Sequence, residues 1–352
     1  MNITDLKSII ESPSRWSSQD EASLLKPYTH IAAIPGKKFR NKLIALFNTY
    51  YHLPDESIAI LSQIIEILHN SSLLIDDIED NSESRRGVKS AHVVFGLPMT
   101  INTANYMYFK AMSLLDLLPP VQLFEQHNIS PIELLELKAQ LTKIFIDELL
   151  NLHRGQGLDI YWRDNGIVPT EKMYFEMVSN KTGGLFRLAA RLMEALASVL
   201  YKNGLIRKPV SKSITPLCTL LGVLYQIRDD YLNLCDDTLI KNKGFGDDIT
   251  EGKLSFPIIH GIRYEEEHRT EDGTCNSFIR DTLNLRTRDL ELKRRFIRYL
   301  ETESKSFTYT RLTLQNLVNL IREGDYIPAL EGENDKGLLA EFNKVLTYIS
   351  AV

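Results

Sequence analysis

Apolar positions recur at three- and four-residue spacing along almost the whole chain and hardly anywhere at two, so the pattern predicts helices and no substantial sheet. Most prolines, from Pro13 and Pro27 through Pro54, Pro98 and Pro131 to Pro257 and Pro328, fall between periodic runs and mark their ends. The runs predict helices over 39–52, 55–80, 100–118, 132–160, 170–180, 183–202, 213–236, 255–264, 289–303, 305–322 and 335–350. The 55–80 run has no Pro or Gly between Glu56 and Asp80, and Ile60, Ile64, Ile67, Leu68, Ile75 and Ile78 give it a buried stripe. A polar stretch, Tyr264 to Gly273, is expected to be a surface loop before a C-terminal helical third. No internal repeat is present. The 352 residues allow two domains. The two acidic motifs described below lie far apart in sequence, however, and must share one cavity. The expectation is a single all-α domain over 1–352, a large helical bundle around a central cavity.

Composition changes this picture mainly by exclusion. A net charge of −5 supplies no basic field for nucleic acid. Cys218, Cys235 and Cys275 form no Cys-x-x-Cys pair, which argues against a structural zinc site or a disulfide framework and fits a reducing compartment. The start, MNITDLKSIIESPSRW, lacks the long apolar core of a secretory signal. No apolar run approaches ~20 residues, so no membrane span is expected. A cytoplasmic protein follows.

Candidate chemistry begins where the 55–80 helix ends, at His69-Asn-Ser-Ser-Leu-Leu-Ile-Asp76-Asp77-Ile-Glu-Asp80. Asp76 and Asp80 are four apart and point to one side of a helix. Carboxylates that close repel each other unless a cation sits between them. Magnesium prefers one or two carboxylates, several waters and phosphate oxygens, which suits a metal shared with a phosphorylated substrate. A further acidic motif, Tyr225-Gln226-Ile-Arg-Asp229-Asp230-Tyr231-Leu-Asn233, puts Gln226, Asp229 or Asp230, and Asn233 on one side of another helix. Paired aspartates inside an apolar run bury charge at a cost, so a partner is implied. Two acidic helix ends can face each other across a bundle.

Cations gather around both motifs. Arg85 and Arg86 follow the Asp76–Asp80 motif after a short turn. Lys37 and Arg40 precede a helix, whose unpaired N–H groups also favour anions. Lys181-Thr182-Gly183-Gly184 marks a helix boundary, and Lys243 and Lys253 follow the Asp229-Asp230 motif. Carboxylates for metal together with Lys and Arg are what a diphosphate requires.

These motifs carry a family resemblance. Gly36-Lys37-Lys38-Phe39-Arg40, the Asp76–Asp80 segment with Arg85-Arg86, Lys181-Thr182-Gly183-Gly184, Gln226-Ile-Arg-Asp229-Asp230 and Gly252-Lys253-Leu-Ser-Phe-Pro257 stand in one order from 36 to 257. Jointly they resemble the trans-isoprenyl diphosphate synthases, most of all the fungal geranylgeranyl diphosphate synthases. Asn233 departs from the family, in which many members carry a third Asp there, and nothing after Gly273 matches a family motif. The resemblance implies the isoprenoid synthase fold, Mg2+ as cofactor and a homodimer. It implies isopentenyl diphosphate and allylic diphosphates (dimethylallyl, geranyl, farnesyl) as substrates. Lys37, Arg40, His69 and Arg86 resemble the clamp for the isopentenyl headgroup. Asp76 and Asp80 resemble magnesium ligands, Asp229 the ligand of a third magnesium, and Asp77 a group behind them. Arg85, Lys181, Lys243 and Lys253 resemble contacts to the allylic diphosphate, with Thr182 and Gln226 near the reacting carbons.

The implied reaction is a magnesium-dependent ionisation, condensation and elimination giving geranylgeranyl diphosphate. Farnesyl or longer polyprenyl diphosphates are the alternative products. Ser71 and Ser72, five and four positions before Asp76, are expected to leave a product tunnel open where relatives that stop at fifteen carbons place aromatic bulk. Tyr108, Phe109 and His153 are the candidates for its floor. Three other readings compete. Glu66-Ile-Leu-His69 and Glu265-Glu-Glu-His268 match the Glu-x-x-His spacing of di-iron bundles, although the charged run around Glu266 is more consistent with a solvated face. A terpene cyclase shares the metal logic but has no use for a separate isopentenyl diphosphate clamp. An inactive regulatory subunit is expected to have lost charged motif positions, which here are intact.

Overall fold

Helices carry most of the described residues in the computed structural model, which describes residues 3–12, 16–34, 39–235, 245–268, 276–329 and 335–351. In chain order they are α1 (Ile3–Glu11), α2 (Ser18–Leu24), α3 (Lys26–Ala32), α4 (Phe39–Tyr51) and α5 (Asp55–Glu79). The two-residue strands β1 (Ser84–Arg85) and β2 (Val88–Lys89) come next. Then follow α6 (Ala91–Phe95), α7 (Leu97–Ser113), α8 (Val121–Gln126), α9 (Pro131–Asn165), α10 (Glu171–Lys181), α11 (Gly183–Lys202) and α12 (Thr215–Cys235). The remainder are α13 (Asp247–Glu251), α14 (Phe256–Glu267), α15 (Phe278–Asn284), α16 (Leu290–Thr302), α17 (Ser306–Glu323) and α18 (Asp335–Ser350). The all-α class expected from the sequence is the class observed.

Differences from the expected elements have local causes. The helix expected from 100 begins at Leu97, because Pro98 occupies its first turn after Gly96 at φ 81°, where a missing N–H costs nothing. The helix expected to end at 160 continues to Asn165 and stops on left-handed Gly166, with Ser130 capping its start and Pro131 in its first turn. That extension puts Arg163 on a helix face. Helices α1–α3, α6, α8, α13 and α15 have at most nine residues, too few to display a period. Tyr264–Glu267, expected in a surface loop, complete α14. Glu265 there is buried and accepts the Ile279 N–H at 3.0 Å, whereas Glu267 and His268 are exposed as expected.

One large apolar cluster joins α4, α5, α9–α12, α14 and α16–α18. Helix α11 is buried on most of its faces and forms the centre. Helix α5, at 25 residues, is long and apolar enough by length and composition to cross a membrane, contrary to the expectation that no run approaches that length. It packs against α4, α7 and α11 and ends in carboxylates, as a core helix leading to a polar cavity does. The C-terminal third joins the same core. Helix α17 packs on α12 and α14, while Phe342 of α18 lies against Phe47 and Tyr50 of α4.

Candidate active site

At the C-terminus of α5 the chain reverses through Asn81 at φ 53° into the β1–β2 hairpin. Arg86 and Gly87, both at positive φ (54° and 82°), make the two-residue turn that matches strand twist. A non-glycine residue in that conformation costs roughly 1–2 kcal/mol. The turn sends the two arginines in different directions. Arg85 folds back on α5 and donates to Asp77 Oδ1 at 2.6 Å and to Asp76 Oδ2 at 3.0 Å. Asp77 is only 1% exposed and spends itself on Arg85, whereas Asp76 is half-buried. Arg86 instead donates to the Ile34 carbonyl at 3.0 Å, on the side of His69 and Arg40.

Helix α9 supplies the facing side. Gln156 Nε2 donates to Glu79 Oε2 at 2.7 Å and to Asp76 Oδ1 at 3.4 Å. Arg163 donates to Asp80 Oδ1 at 2.5 Å and to the Glu79 carbonyl at 3.0 Å. Asp159 forms an ion pair with Lys181. Burial, reinforced by the Asp76 and Glu251 carboxylates, pushes the Asp80 carboxyl up to about 7 against the pull of Lys181 and Arg163. Asp159, with Asp76 and Asp80, holds Lys181 charged despite its burial. Gln156, Asp159 and Arg163 carry no motif that singles them out in the sequence. The signal available was Gly155, a helix-breaking residue inside a helical run. A Cβ at Gly155 would lie 2.8 Å from Lys181 Cα, so the glycine lets the end of α10 reach α9 where Lys181 meets Asp159.

Another close approach sets the opposite wall. Gly183 at the start of α11 touches Gly222 of α12, and the crossing brings Thr182 Oγ1 to Gln226 Oε1 at 2.6 Å. Gln226 passes a hydrogen bond on to Asp230 Oδ1 at 2.9 Å. Asp230, fully buried, also accepts from Tyr174 OH at 2.5 Å, Lys253 Nζ at 3.0 Å and the Phe256 N–H at 2.9 Å. Four donors satisfy a buried carboxylate and leave it nothing for a metal. Of the two aspartates, Asp229 is the one open to solvent. Asn233 accepts the Asp248 N–H at 3.0 Å and so anchors α13, a task its amide performs without adding charge. Lys253 lies between Asp230 and Asp248, whose Oδ1 is 3.5 Å away.

Arg40 and Arg86 gather around the His69 imidazole. Burial pushes the His69 imidazole well below its ordinary range, and Arg40, Arg86 and Arg85 add to the effect. Arg40 Nε is buried without a hydrogen-bond partner, and burial with Arg86 nearby lowers the affinity of its guanidinium for the proton. An orphaned buried donor beside another guanidinium fits an anion. Lys37 and Lys243 lie outside the described residues.

Among the described residues no three Asp, Glu, His or Cys side chains form a ready-made metal cage. Glu66 and His69 do not combine with Glu265 and His268, since Glu265 is bonded to Ile279 and His268 Nδ1 to the Tyr264 carbonyl. Asp76, Asp80 and Asp229 offer carboxylate oxygens only, and burial, with Asp76 and Glu251 adding to it, disfavours charge on Asp80. These residues fit a hard divalent cation that takes its remaining oxygens from substrate and water.

Below Asp76, Ser71 is fully buried with its hydroxyl on the Ile67 carbonyl, and half-buried Ser72 donates to the His69 carbonyl at 2.8 Å. Tyr108 is half-buried and sits near Glu79 and Asp76, which after burial hold its phenol in the neutral form. Its ring meets that of His153, centroids 5.6 Å apart. Phe109, one of the expected floor residues, is 72% exposed and lies on the outer face of α7. Consecutive helical residues point about 100° apart, so Tyr108 and Phe109 cannot both face one tunnel. His153 is exposed as well and backs Tyr108 from outside.

The sequence profile of the polyprenyl synthetase family matches residues 21–283. The chain is 50% identical over 317 residues to a geranylgeranyl pyrophosphate synthase of Eremothecium gossypii, a match covering 90% of this chain and 92% of that one. It is 41% identical over 329 residues to a geranylgeranyl pyrophosphate synthase of Hericium erinaceus, covering 92% of each. A geranylgeranyl pyrophosphate synthase of Macrophomina phaseolina is 44% identical over 303 residues, 86% of this chain and 82% of that one.

Proposed function

Because the chain belongs to the polyprenyl synthetase family, we propose that it condenses isopentenyl diphosphate with allylic diphosphates and stops at geranylgeranyl diphosphate. The observation that supports this is that cations gather in two sets of side chains. Arg40, His69 and Arg86 gather beside the hairpin, while Lys181 and Lys253 stand with the carboxylates of α5, α9 and α12. A reaction that joins two diphosphate esters needs both groups.

The residues divide the work as follows. Lys181 and Lys253, held charged by Asp159 and Asp230, face the allylic diphosphate and stabilise charge as its carbon–oxygen bond breaks. Arg85 adds positive charge from behind Asp76 and Asp77. Magnesium held by Asp76, Asp80 and Asp229 would supply Lewis-acid neutralisation of that leaving group. Arg40, His69 and Arg86, with Lys37, hold the isopentenyl headgroup so that its double bond lies in line with the allylic cation. The electron pair of that double bond forms the new carbon–carbon bond. Departing pyrophosphate accepts the proton that restores an alkene. Thr182 and Gln226, bonded to each other, present oxygens near the cation. Apolar α5 and α7 side chains exclude water from it.

Ser72 puts no aromatic bulk one turn before Asp76, and Tyr108, packed on His153, is the residue assigned to close the tunnel. A homodimer fits the exposed apolar side chains Leu97, Ile101 and Phe109 of α7 and Ile146, Leu150 and Leu158 of α9. The whole chain acts as one helical unit in the cytoplasm. The test is incorporation of labelled isopentenyl diphosphate into acid-labile product with magnesium and an allylic primer. Incorporation by wild type and a loss of several orders of magnitude in Asp76→Ala are expected. Near-wild-type turnover in that variant would remove the metal assignment.

A further inference from the structure

Arg163 belongs to none of the motifs, yet it holds one of the carboxylates assigned to metal. Its side chain is 8% exposed and that of Asp80 14%. Nη1 donates to Asp80 Oδ1 at 2.5 Å, Nη2 to the Glu79 carbonyl at 3.0 Å, and Nε to Asp164 Oδ1 at 3.0 Å. We propose that Arg163 is the resident counter-ion of Asp80, which a divalent cation must displace, so that it sets how tightly metal binds before diphosphate arrives. This rests on the metal assignment made above.

Two features make the pair exchangeable rather than permanent. First, Arg163 has another carboxylate to hold. Asp164 is about half exposed and is also held by Arg286 Nη2 at 3.0 Å. When Asp80 turns to a cation, Arg163 keeps Asp164 and the Glu79 carbonyl and does not become an unpaired buried charge. The other feature is a contrast with Arg85. Arg85 grips both Asp76 and Asp77, and Asp77, 1% exposed, anchors it whatever Asp76 does. Arg85 therefore stays, and Arg163 can yield. A guanidinium and a divalent cation cannot share one carboxylate oxygen without repulsion, so metal alone meets a competitor. A diphosphate brings its own oxygens and negative charge to the cation and tips the exchange.

The experiment titrates the full-length protein with Mn2+ by calorimetry, with and without inorganic pyrophosphate, and needs no turnover. Arg163→Gln is expected to bind Mn2+ alone about tenfold more tightly than wild type, the factor for one charge-assisted hydrogen bond that no longer has to be broken. The gain from pyrophosphate should shrink accordingly. Asp164→Asn removes the alternative carboxylate, ties Arg163 to Asp80, and is expected to weaken binding of Mn2+ alone; it carries the test if Arg163→Gln does not fold. Unchanged or weaker binding in Arg163→Gln, or unchanged binding in Asp164→Asn, overturns the proposal. Absence of Mn2+ binding to wild type even with pyrophosphate overturns the metal assignment itself, and the counter-ion role with it.

Discussion

Gly183 and Gly222 meet backbone to backbone: a Cβ on Gly222 would lie 2.7 Å from the Gly183 nitrogen. The contact fixes the height at which α11 and α12 cross, and therefore the pairing of Thr182 with Gln226. Gly222→Ala must push the helices apart and should destabilise the protein by about 1–3 kcal/mol, as overpacking does. Turnover should fall along with the denaturation midpoint in urea. Gly157→Ala is the control, since a Cβ there meets nothing within 4 Å. It should leave the midpoint unchanged or raise it slightly, as removing a helical glycine does.

Adjacent aspartates on α12 should separate cleanly. Asp229→Ala removes an exposed carboxylate and should lower turnover while stability stays within about 0.5 kcal/mol of wild type. Asp230→Ala leaves Lys253 and Tyr174 without their buried partner and should cost about 3–5 kcal/mol. Urea denaturation alongside steady-state kinetics distinguishes the two. Equal stabilities would mean that the four-donor cage around Asp230 carries little of the fold.

The isopentenyl clamp has its own signature. Arg40→Ala should raise KM for isopentenyl diphosphate by at least about tenfold, the loss of a charge-assisted contact, with a smaller effect on the allylic substrate. Arg40 and Arg86 act on His69, whereas Lys181 and Lys253 are paired with Asp159 and Asp230. Equal losses for both substrates would mean that the two anion groups are misassigned.

Glu265 predicts a pH dependence away from the catalytic cavity. Burial, with Asp281 adding to it, pushes its carboxyl from 4.5 up to about 7 in the folded protein. The folded state thus keeps a proton that the unfolded chain releases, so this group's contribution to stability is lost as pH rises from about 4.5 to about 7. Glu265→Gln should abolish that part of the slope. The check is the difference between wild-type and variant unfolding free energies across this range, which should change with pH and then level off.

Much of this was legible in the sequence because strong periodicity covers the long helices. Phe39–Tyr51, Asp55–Glu79 and Gly183–Lys202 fall within a residue of their expected bounds. The charged motifs pointed to the polyprenyl synthetases, the family the chain belongs to. Three things were not legible. Short helices such as Asp247–Glu251 show no period, although this one anchors on Asn233 and carries Asp248 to Lys253. Gln156, Asp159 and Arg163 are polar residues on a long helix, and only their neighbours, which come from α5 and α10, give them a role. Phe109 was expected at the tunnel floor because sequence places it beside Tyr108, but one helical step turns it outward.

Product length tests the central claim most directly. Wild type and Tyr108→Ala are each incubated with labelled isopentenyl diphosphate, dimethylallyl diphosphate and magnesium, and the dephosphorylated alcohols are sized by chromatography. Tyr108→Ala should extend the products beyond twenty carbons if Tyr108, whose ring packs on His153, closes the tunnel as proposed. For wild type the main product should be the twenty-carbon alcohol, geranylgeraniol. A main product of fifteen carbons, or one longer than twenty, would contradict the account.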